Sequence, residues 1–237
     1  MTDRVPAPGL PERIRAAWQG GNVARPGLSL PVILAAAGTL ADSDGVEAVT
    51  IRKVSAAVGC SAMALYRHVA SRDELLLLVM DEALGAPPAW PSAEEAWDAG
   101  VSAWTAGLFE RYLAHPWLLD LPLPGVPLTP RHASWVERLL TITEPLALDV
   151  DERLEAGLLL DGHARNIANL ARARSGGATV SPAELLEVVP RADFPRLSAV
   201  LQGGQLQDEG TPSIGFGLAV ILDGLRAQLA RRGSARP

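Results

Sequence analysis

The sequence TIRKVSAAVGCSAMALYRHVA, residues 50 to 70, predicts two short helices joined by a tight turn. In its first half, Ile51, Val54 and Val58 recur at helical spacing, so one side of that helix is apolar. Gly59 follows, where a helix commonly ends in the left-handed conformation that glycine adopts at low cost. The spacing therefore predicts a first helix that stops at a glycine turn.

The second half of this stretch predicts a helix over residues 62 to 69. Ser61 can cap that helix by accepting a backbone hydrogen bond, and Leu65 and Val69 give it an apolar inner side. Two short helices around such a turn form the helix-turn-helix motif, whose second helix enters the major groove of DNA. The pattern indicates a DNA-binding domain, although helical hairpins with a glycine turn also occur in proteins that bind no nucleic acid.

Two further helices flank this motif. Ser29 can cap an earlier helix, with the proline of LPVIL tolerated in its first turn. After the motif, SRDE forms a capping box in which Ser71 and Glu74 bond each other's backbone, and the apolar run LLLLVMDEAL continues to Gly85. The last helix leads away from the motif and can connect it to the remaining chain.

The run from Leu28 to Gly85 resembles the DNA-binding domain of the tetracycline-repressor (TetR) family, most specifically in GVEAVTIRKVSAAVG and ALYRHVASRDELL. The segments HPWLLDLPLPGVPLTPRHASW and IGFGLAVILDGLRAQL resemble the ligand-binding C-terminal domain of the tetracycline-repressor branch. The resemblance implies an all-α fold, with an N-terminal three-helix helix-turn-helix domain and a helical ligand-binding and dimerisation domain. It also implies transcriptional regulation, repression being the expected direction.

Residues of the two motif helices can be assigned to DNA. Short or apolar side chains at positions 62 to 64 suit thymine methyl groups, the Tyr66 hydroxyl suits a phosphate, and Arg67 suits a guanine edge or a phosphate. The other assignments follow from the family's contact positions. The expected DNA-binding residues are Thr50, Arg52, Ala62, Met63, Ala64, Tyr66, Arg67, His68 and Arg72. The alternative for His68 is a packed histidine that seals the three-helix core.

The distribution of charge favours this assignment more than the total does. The chain has a formal net charge of −6, which is unusual for a DNA-binding protein. Residues 1 to 72, however, hold eight Arg or Lys against five Asp or Glu, so the acidic excess lies entirely in the remainder. A basic end on an acidic body can present one face to DNA and repel DNA with the rest.

Composition divides the chain into three segments. Residues 1 to 27 are rich in Pro, Gly and Arg, with a short helical piece around PERIRAAW, and are expected to form a mobile arm, or alternatively an arm whose arginines lie along the DNA. Residues 28 to 85 form the expected helix-turn-helix domain, including the connector helix. After the prolines of APPAWP, residues 91 to 232 form the expected ligand-binding and dimerisation domain.

The second domain reads as a set of amphipathic helices. They are predicted over residues 93 to 114, 131 to 141, 151 to 174 and 213 to 231, with a short one at PAELLEVV followed by a loose polar region. In the helix over 151 to 174, Leu159, His163, Ile167 and Leu170 are predicted to share one stripe. Small residues recur in this helix and in the last one, which indicates close helix contacts. As in the family, both helices are expected to pair with their copies in a four-helix dimer interface.

A pocket for a small apolar ligand should be mostly apolar with a few polar groups. The expected lining residues are Trp104, Leu108, Trp117, Trp135, His163, Asn166 and Ile167. The alternatives are ordinary core packing for the tryptophans and a hydrogen-bonded core histidine for His163. Asp161 with His115, His132 and His163 could be imagined as a metal site, but they lack ligand spacing, so neither metal nor cofactor is expected.

Other classes of function find less support. The chain has no G-x-S-x-G, no phosphate-binding glycine loop and no H-E-x-x-H, so an enzyme is not expected. With one cysteine, no long apolar run and no signal peptide, the expected location is the cytoplasm, with no membrane partner. The expected partners are a palindromic double-stranded DNA operator, a second copy of the chain and a small apolar ligand. The alternatives are a constitutive, ligand-independent DNA-binding protein and an activator.

Overall fold

The computed structural model describes residues 11–19, 28–89, 97–121, 129–175, 182–203 and 212–234. Within these ranges every regular element is helical, so the predicted all-α fold is confirmed. The α-helices are α1 (Glu12–Trp18), α2 (Leu30–Asp44), α3 (Ile51–Ala57), α4 (Ala62–Leu65), α5 (Arg72–Leu84), α6 (Trp97–Ala114), α7 (Pro130–Thr143), α8 (Val150–Ser175), α9 (Pro182–Val188), α10 (Pro195–Gln202) and α11 (Gly215–Ser234). Two 3₁₀ helices lie at Val46–Ala48 and Pro116–Leu119.

Helices α2 to α5 form a small domain around a shared apolar core. Ile33 of α2, Val54 of α3, Leu65 of α4 and Leu75 of α5 are all buried in it. Gly59, between α3 and α4, has a φ of 69°, the left-handed conformation predicted for the motif turn. The predicted helix-turn-helix is therefore present, with its apolar residues facing inward.

The second motif helix is shorter than the predicted 62 to 69. Regular α-helix ends at Leu65, and residues 66 to 68 form a turn. There the backbone N–H groups of Arg67 and His68 donate to carbonyls three residues earlier, at 3.3 and 2.8 Å. This tighter winding brings Val69, which is 1% exposed, back into the core directly before α5 begins.

The expectation of a mobile arm over residues 1 to 27 is wrong for residues 12 to 18. These residues form α1, and its Ile14 is completely buried in the core of the small domain. The backbone N–H of Arg13 also donates to the Glu74 carboxylate of α5 at 3.2 Å. Burial of one large apolar side chain and this long-range bond hold α1 against α5; the rest of the predicted arm lies outside the described residues.

The second domain is built around α6, α7 and α8. On α6, Val101, Trp104, Leu108 and Tyr112 are buried and recur at helical spacing, as the predicted amphipathic helix requires. The long α8 packs against both α6 and α7, and α11 packs against α8. An ion pair between Arg226 of α11 and Asp98 at the start of α6 also holds α11 in place.

Two leucines of the stripe predicted along α8 lie on its outer side. Leu159 and Leu170 are 56% and 47% exposed, while the buried side chains of the helix are those of Ala156, Leu160, Ala164, Ala168 and Ala171. Alanines face inward because α8 lies close to its neighbours; a Cβ on Gly157 would collide with Leu139 of α7. Apart from Leu160, small side chains therefore meet the core, and Leu158, Leu159 and Leu170 lie on the outer face.

Helices α9 and α10 form a pair of their own. The sequence predicted α9 but only a loose polar region after it, and α10 corrects that expectation. The two helices pack against each other and bury Ser198 and Leu201. Their apolar contact supplies the structure that the polar composition of the region concealed.

Candidate DNA interface and ligand-sensing core

Side-chain caps fix where each helix of the DNA-binding motif begins. Thr50 accepts a bond from the Lys53 backbone N–H at 3.2 Å, and Ser61 accepts one from Ala64 at 3.2 Å. Ser71 likewise caps α5, accepting from the Glu74 N–H at 3.0 Å. Caps satisfy backbone donors that a helix leaves free at its first turn, so each hydroxyl sets the start of its helix.

The outer side of α4 and its following turn carries exposed side chains of several kinds. Met63 is 71% exposed and Tyr66 is 50% exposed, although both are large and partly apolar. Ala62, Arg67 and, on α3, Arg52 are also exposed. Methyl and thioether groups, a phenol hydroxyl and two guanidinium groups thus share one surface, which suits apolar contact with thymine and hydrogen bonds to phosphates or guanine.

Other predicted DNA-binding residues have a structural partner inside the protein. Arg72 donates to the carbonyls of Val49 and Val46 at 2.8 and 3.1 Å, so its guanidinium holds the segment between α2 and α3. Ala64 and His68 are half-buried, and the Thr50 hydroxyl serves as the α3 cap. Of the nine predicted residues, five lie fully on the outer surface: Arg52, Ala62, Met63, Tyr66 and Arg67.

Hydrogen bonds join the two domains at both ends of a shared seam. Asp42 of α2 accepts from Trp117 Nε1 at 2.7 Å and contacts His115 Nδ1 at 2.8 Å. Asp81 of α5 is buried, and its Oδ1 accepts from the backbone N–H groups of Arg131 and His132 at 2.9 and 3.2 Å. Asp81 therefore caps α7 from the connector helix, because those N–H groups lie in the first turn of α7.

Trp117 lies at this seam and not among the other predicted ligand residues. It is buried, and it lines a groove of about 280 Å³ together with residues of α2 and α5, including Thr39 and Glu82. The groove is open to solvent and carries two carboxylates, those of Asp42 and Glu82. Trp117 is therefore part of the contact between the two domains.

The remaining predicted ligand residues fall into two groups. Trp104 and Trp135 meet edge to face with centroids 6.0 Å apart, and Trp104 Nε1 donates to the Trp135 carbonyl at 2.8 Å. Leu108 is buried one turn further along α6. On α8, by contrast, His163 Nε2 donates to the Ile214 carbonyl at 2.9 Å, at the start of α11.

The two neighbours of His163 on α8 lie further out. Asn166 is exposed and Ile167 is half-buried. The predicted set is therefore divided between the apolar core, the seam between the domains and the side of α8 that meets α11.

A buried polar cluster in the second domain was missed by the sequence analysis as a binding feature. The Tyr112 hydroxyl donates to Asp161 Oδ1 at 2.5 Å, and the Arg165 guanidinium lies 5.1 Å from the centre of the Tyr112 ring. Burial raises the pKa of Asp161 above its usual range and, together with the Asp161 charge, raises that of Tyr112. The spacing of Asp161 and Arg165, four residues apart on one helix, was the available signal.

Two polar atoms near this cluster are buried without a partner. They are His132 Nδ1 and Thr129 Oγ1, both at the start of α7. Burial lowers the pKa of His132, with Asp161 and Asp81 opposing that shift. A neutral imidazole and a hydroxyl are thus available for hydrogen bonds on the turn that Asp81 caps.

Metal-binding clusters and membrane-spanning helices are both absent from the described ranges. No group of three His, Cys, Asp or Glu side chains there is placed to hold a metal ion. None of the helices described has the length and apolar character that crossing a membrane requires.

Comparison with known proteins agrees with this architecture. Residues 33–79 match the description "Bacterial regulatory proteins, tetR family", and residues 90–229 match "Tetracyclin repressor-like, C-terminal domain". The HTH-type transcriptional repressor DrrR1 of Streptomyces coeruleorubidus is 32% identical over 232 residues, covering 90% of this chain and 83% of that protein.

Solved structures of ActR, a TetR family protein from Streptomyces coelicolor, have the same fold. The complex of ActR with (S)-DNPA superposes with a TM-score of 0.72 at 24% identity, covering 86% of this chain and all of that one. Apo ActR gives 0.70 at 25% identity, covering 84% and 97%. DrrR1 is a transcriptional repressor, and the description that residues 33–79 match is that of bacterial regulatory proteins. The chain therefore belongs to the TetR family and is a DNA-binding transcription regulator with a helical, tetracycline-repressor-like second domain.

Proposed function

We propose that the protein is a repressor that binds a palindromic operator as a homodimer and is released by a small, largely apolar ligand. The observation that carries the DNA-binding part is the outer face of α4. Met63 and Tyr66 are exposed there, while Leu65 between them is completely buried. A short, capped helix that holds large side chains in solvent is suited to insertion into the major groove.

The nine residues predicted from the sequence remain the proposed DNA-contacting set, with different roles. Residues on the outer surface, such as Met63 and Tyr66, would touch bases and phosphates. Arg72 would act chiefly by holding the approach to α3, because its donors already bond Val46 and Val49. Its substitution should therefore affect folding of the domain as well as binding.

The outer faces of α8 and α11 support the proposed dimer. Leu158 is 71% exposed and Phe216 is 84% exposed, and Leu159 and Val220 beside them are more than half exposed. A Cβ added at Gly162 or Gly224 would meet no atom of the chain within 4 Å. Extended apolar faces of this kind mark protein interfaces, and glycines on them allow two helices to approach closely. The proposed occupant is the same pair of helices of a second copy.

The proposed ligand site lies where α6, α7 and α8 meet. Trp104, Leu108 and Trp135 would supply its apolar walls, and the cluster around Asp161 would supply its polar groups. Support for a ligand also comes from two complexes of ActR, one with (S)-DNPA and one with actinorhodin. A ligand with a broad apolar surface and a few hydroxyl or carbonyl groups would suit these side chains. His163, Asn166 and Ile167 would act from the α11 side.

The cap on α7 gives the ligand a route to the DNA-binding domain. His132 lies in the turn of α7 whose backbone bonds Asp81 of the connector helix. A ligand that bonds His132 or Thr129 would therefore act on the same turn that α5 holds. Release from DNA requires that the ligand bind differently to the two arrangements of α5 and α7.

Selection from a pool of random DNA duplexes, at a stated salt concentration, tests the proposal. The expected result is a palindrome whose half-sites are about one DNA turn apart, ~34–36 Å, or a simple multiple of it. An enriched but asymmetric sequence would contradict the homodimer, and no enrichment would contradict binding in the ligand-free state. The selected duplex then serves to measure release by actinorhodin, the molecule found in the relative.

A further inference from the structure

Helix α1 contacts the DNA-binding motif just beyond the end of α4. Arg13 Nη2 donates to the backbone carbonyl of Arg67 at 2.6 Å, and Arg67 lies one residue past the C-terminal cap of α4. Carbonyl groups at the end of a helix lack partners within it and carry partial negative charge. A guanidinium placed there satisfies a carbonyl and stabilises the helix end. Arg13 thus acts as an external cap on the turn that directly follows α4.

The backbone of α1 is fixed where Arg13 leaves it. Glu74 is 3% exposed; its Oε1 accepts from the Arg13 N–H at 3.2 Å and its Oε2 from the Ala70 N–H at 2.6 Å. Ile14, the next residue, is completely buried. One buried carboxylate therefore ties α1 to the segment between α4 and α5, and the neighbouring side chain prevents α1 from turning away.

An external cap matters for α4 because the helix is very short. Its four residues cannot form a stable helix alone, since an isolated helix needs ~12–15 residues even with favourable sequence. Ser61 fixes its beginning, and Leu65 fixes its inner side. The turn at residues 66 to 68, which carries Tyr66, receives its additional constraint from Arg13.

We propose that α1 is a fourth helix of the DNA-binding domain and that Arg13 is a positioning residue for operator binding. In this role Arg13 holds the turn after α4 in the orientation that presents Tyr66 and Arg67 to DNA. The match to the family's DNA-binding domain begins at residue 33, so α1 lies before it. The inference rests on the proposed use of α4 in DNA recognition.

Two substitutions in the full-length protein separate positioning from charge. Arg13→Ala removes the cap but keeps the backbone N–H that bonds Glu74, and Arg15→Ala removes the same charge from an exposed position of the same helix. Loss of the cap should weaken operator binding about two- to tenfold, the range of one net hydrogen bond. The slope of affinity against salt should not change, whereas a lost phosphate contact would reduce it by about one.

Hydrogen exchange of the backbone amides supplies a readout that needs no DNA. Arg13→Ala should speed exchange at residues 64 to 68, and Arg15→Ala should leave it unchanged. Equal loss of operator affinity in both variants would overturn the proposal, as would Arg13→Ala exchange that matches the wild type. If the wild-type protein bound no duplex, the proposed function would fail while the exchange comparison still tested the cap.

Discussion

Replacing Asp81 by alanine tests whether the connector helix holds the second domain through α7. The variant loses the acceptor for the backbone N–H groups of Arg131 and His132. Because Asp81 is only 7% exposed, these two N–H groups are left without a partner in a largely buried place. Loss of a capping side chain costs ~1–2 kcal/mol, and a buried donor without a partner costs ~1–3 kcal/mol. Because the freed groups can be partly hydrated, we expect about 2 kcal/mol in the free energy of unfolding.

Thermal unfolding followed by circular dichroism measures this loss. For a chain of this size, about 2 kcal/mol corresponds to a fall in Tm of roughly 4–8 °C. Glu82→Ala is the matched control, because Glu82 is the next residue and pairs with the Arg131 side chain, but the pair is 37% and 47% exposed. A surface pair contributes only about 0–1 kcal/mol. Equal shifts in the two variants would refute the role assigned to the buried cap.

Four further predictions follow from other positions. Gly59→Ala should destabilise the protein by ~1–2 kcal/mol, because its φ is 69°, whereas Gly38→Ala within α2 should stabilise it by ~0.5–1 kcal/mol; urea unfolding that gives both the same sign would contradict this. A side chain added at Gly224 would meet no atom of its own chain within 4 Å, so Gly224→Leu should leave the fold intact. If a partner packs there, the variant should sediment as a monomer, and a variant that stays dimeric would contradict the proposed interface. Asp161→Asn keeps an acceptor for the tyrosine and removes a buried charge. Burial raises the folded-state pKa of Asp161, so the wild type loses stability as pH rises through that pKa. The variant should therefore have the higher Tm at pH 7, and this difference in Tm should be absent below about pH 4. Tyr66→Phe should weaken binding to all duplexes by a similar factor, and unequal loss across operator variants would show that Tyr66 reads sequence.

Local features of the DNA-binding domain could be predicted because each depends on residues close in sequence. Ser61 caps α4 and Gly59 adopts the left-handed turn as their neighbours require. The length of α4 and the docking of α1 could not be predicted in the same way. Both depend on tertiary contacts. The docking of α1 depends on the bond of Arg13 to Glu74, between residues 61 positions apart, and α4 ends where the chain turns to bury Val69.

The face of α8 that meets the core could not be predicted from the sequence, for a physical reason. Hydrophobicity favours leucine over alanine in a core, and by that rule Leu159 and Leu170 would be internal. The structure turns Ala164 and Ala168 inward instead, because a close approach of helices selects for size before hydrophobicity. A helix with two apolar faces does not reveal from sequence which one meets its own chain.

Residues of the candidate sites also differ in whether their roles can be predicted from the sequence. Exposed residues of α4, such as Met63, follow directly from the motif register. The internal role of Arg72 does not, because it depends on carbonyls more than twenty residues earlier. The polar cluster at Asp161 joins α6 and α8, and only the spacing of Asp161 to Arg165 is visible along the chain.

The alanine-lined face of α8 also limits how the second domain can respond to a ligand. Alanine has no side-chain rotamers, so Ala156, Ala164, Ala168 and Ala171 cannot absorb a displacement by repacking. A displacement of α6 must then either move α8 as a whole or be absorbed where side chains are longer and hydrogen bonds can be exchanged. The seam at Asp42 and Asp81 has longer side chains and hydrogen bonds of this kind. A rigid helix, α8, is thus combined with a contact that can rearrange, and that contact adjoins the DNA-binding domain.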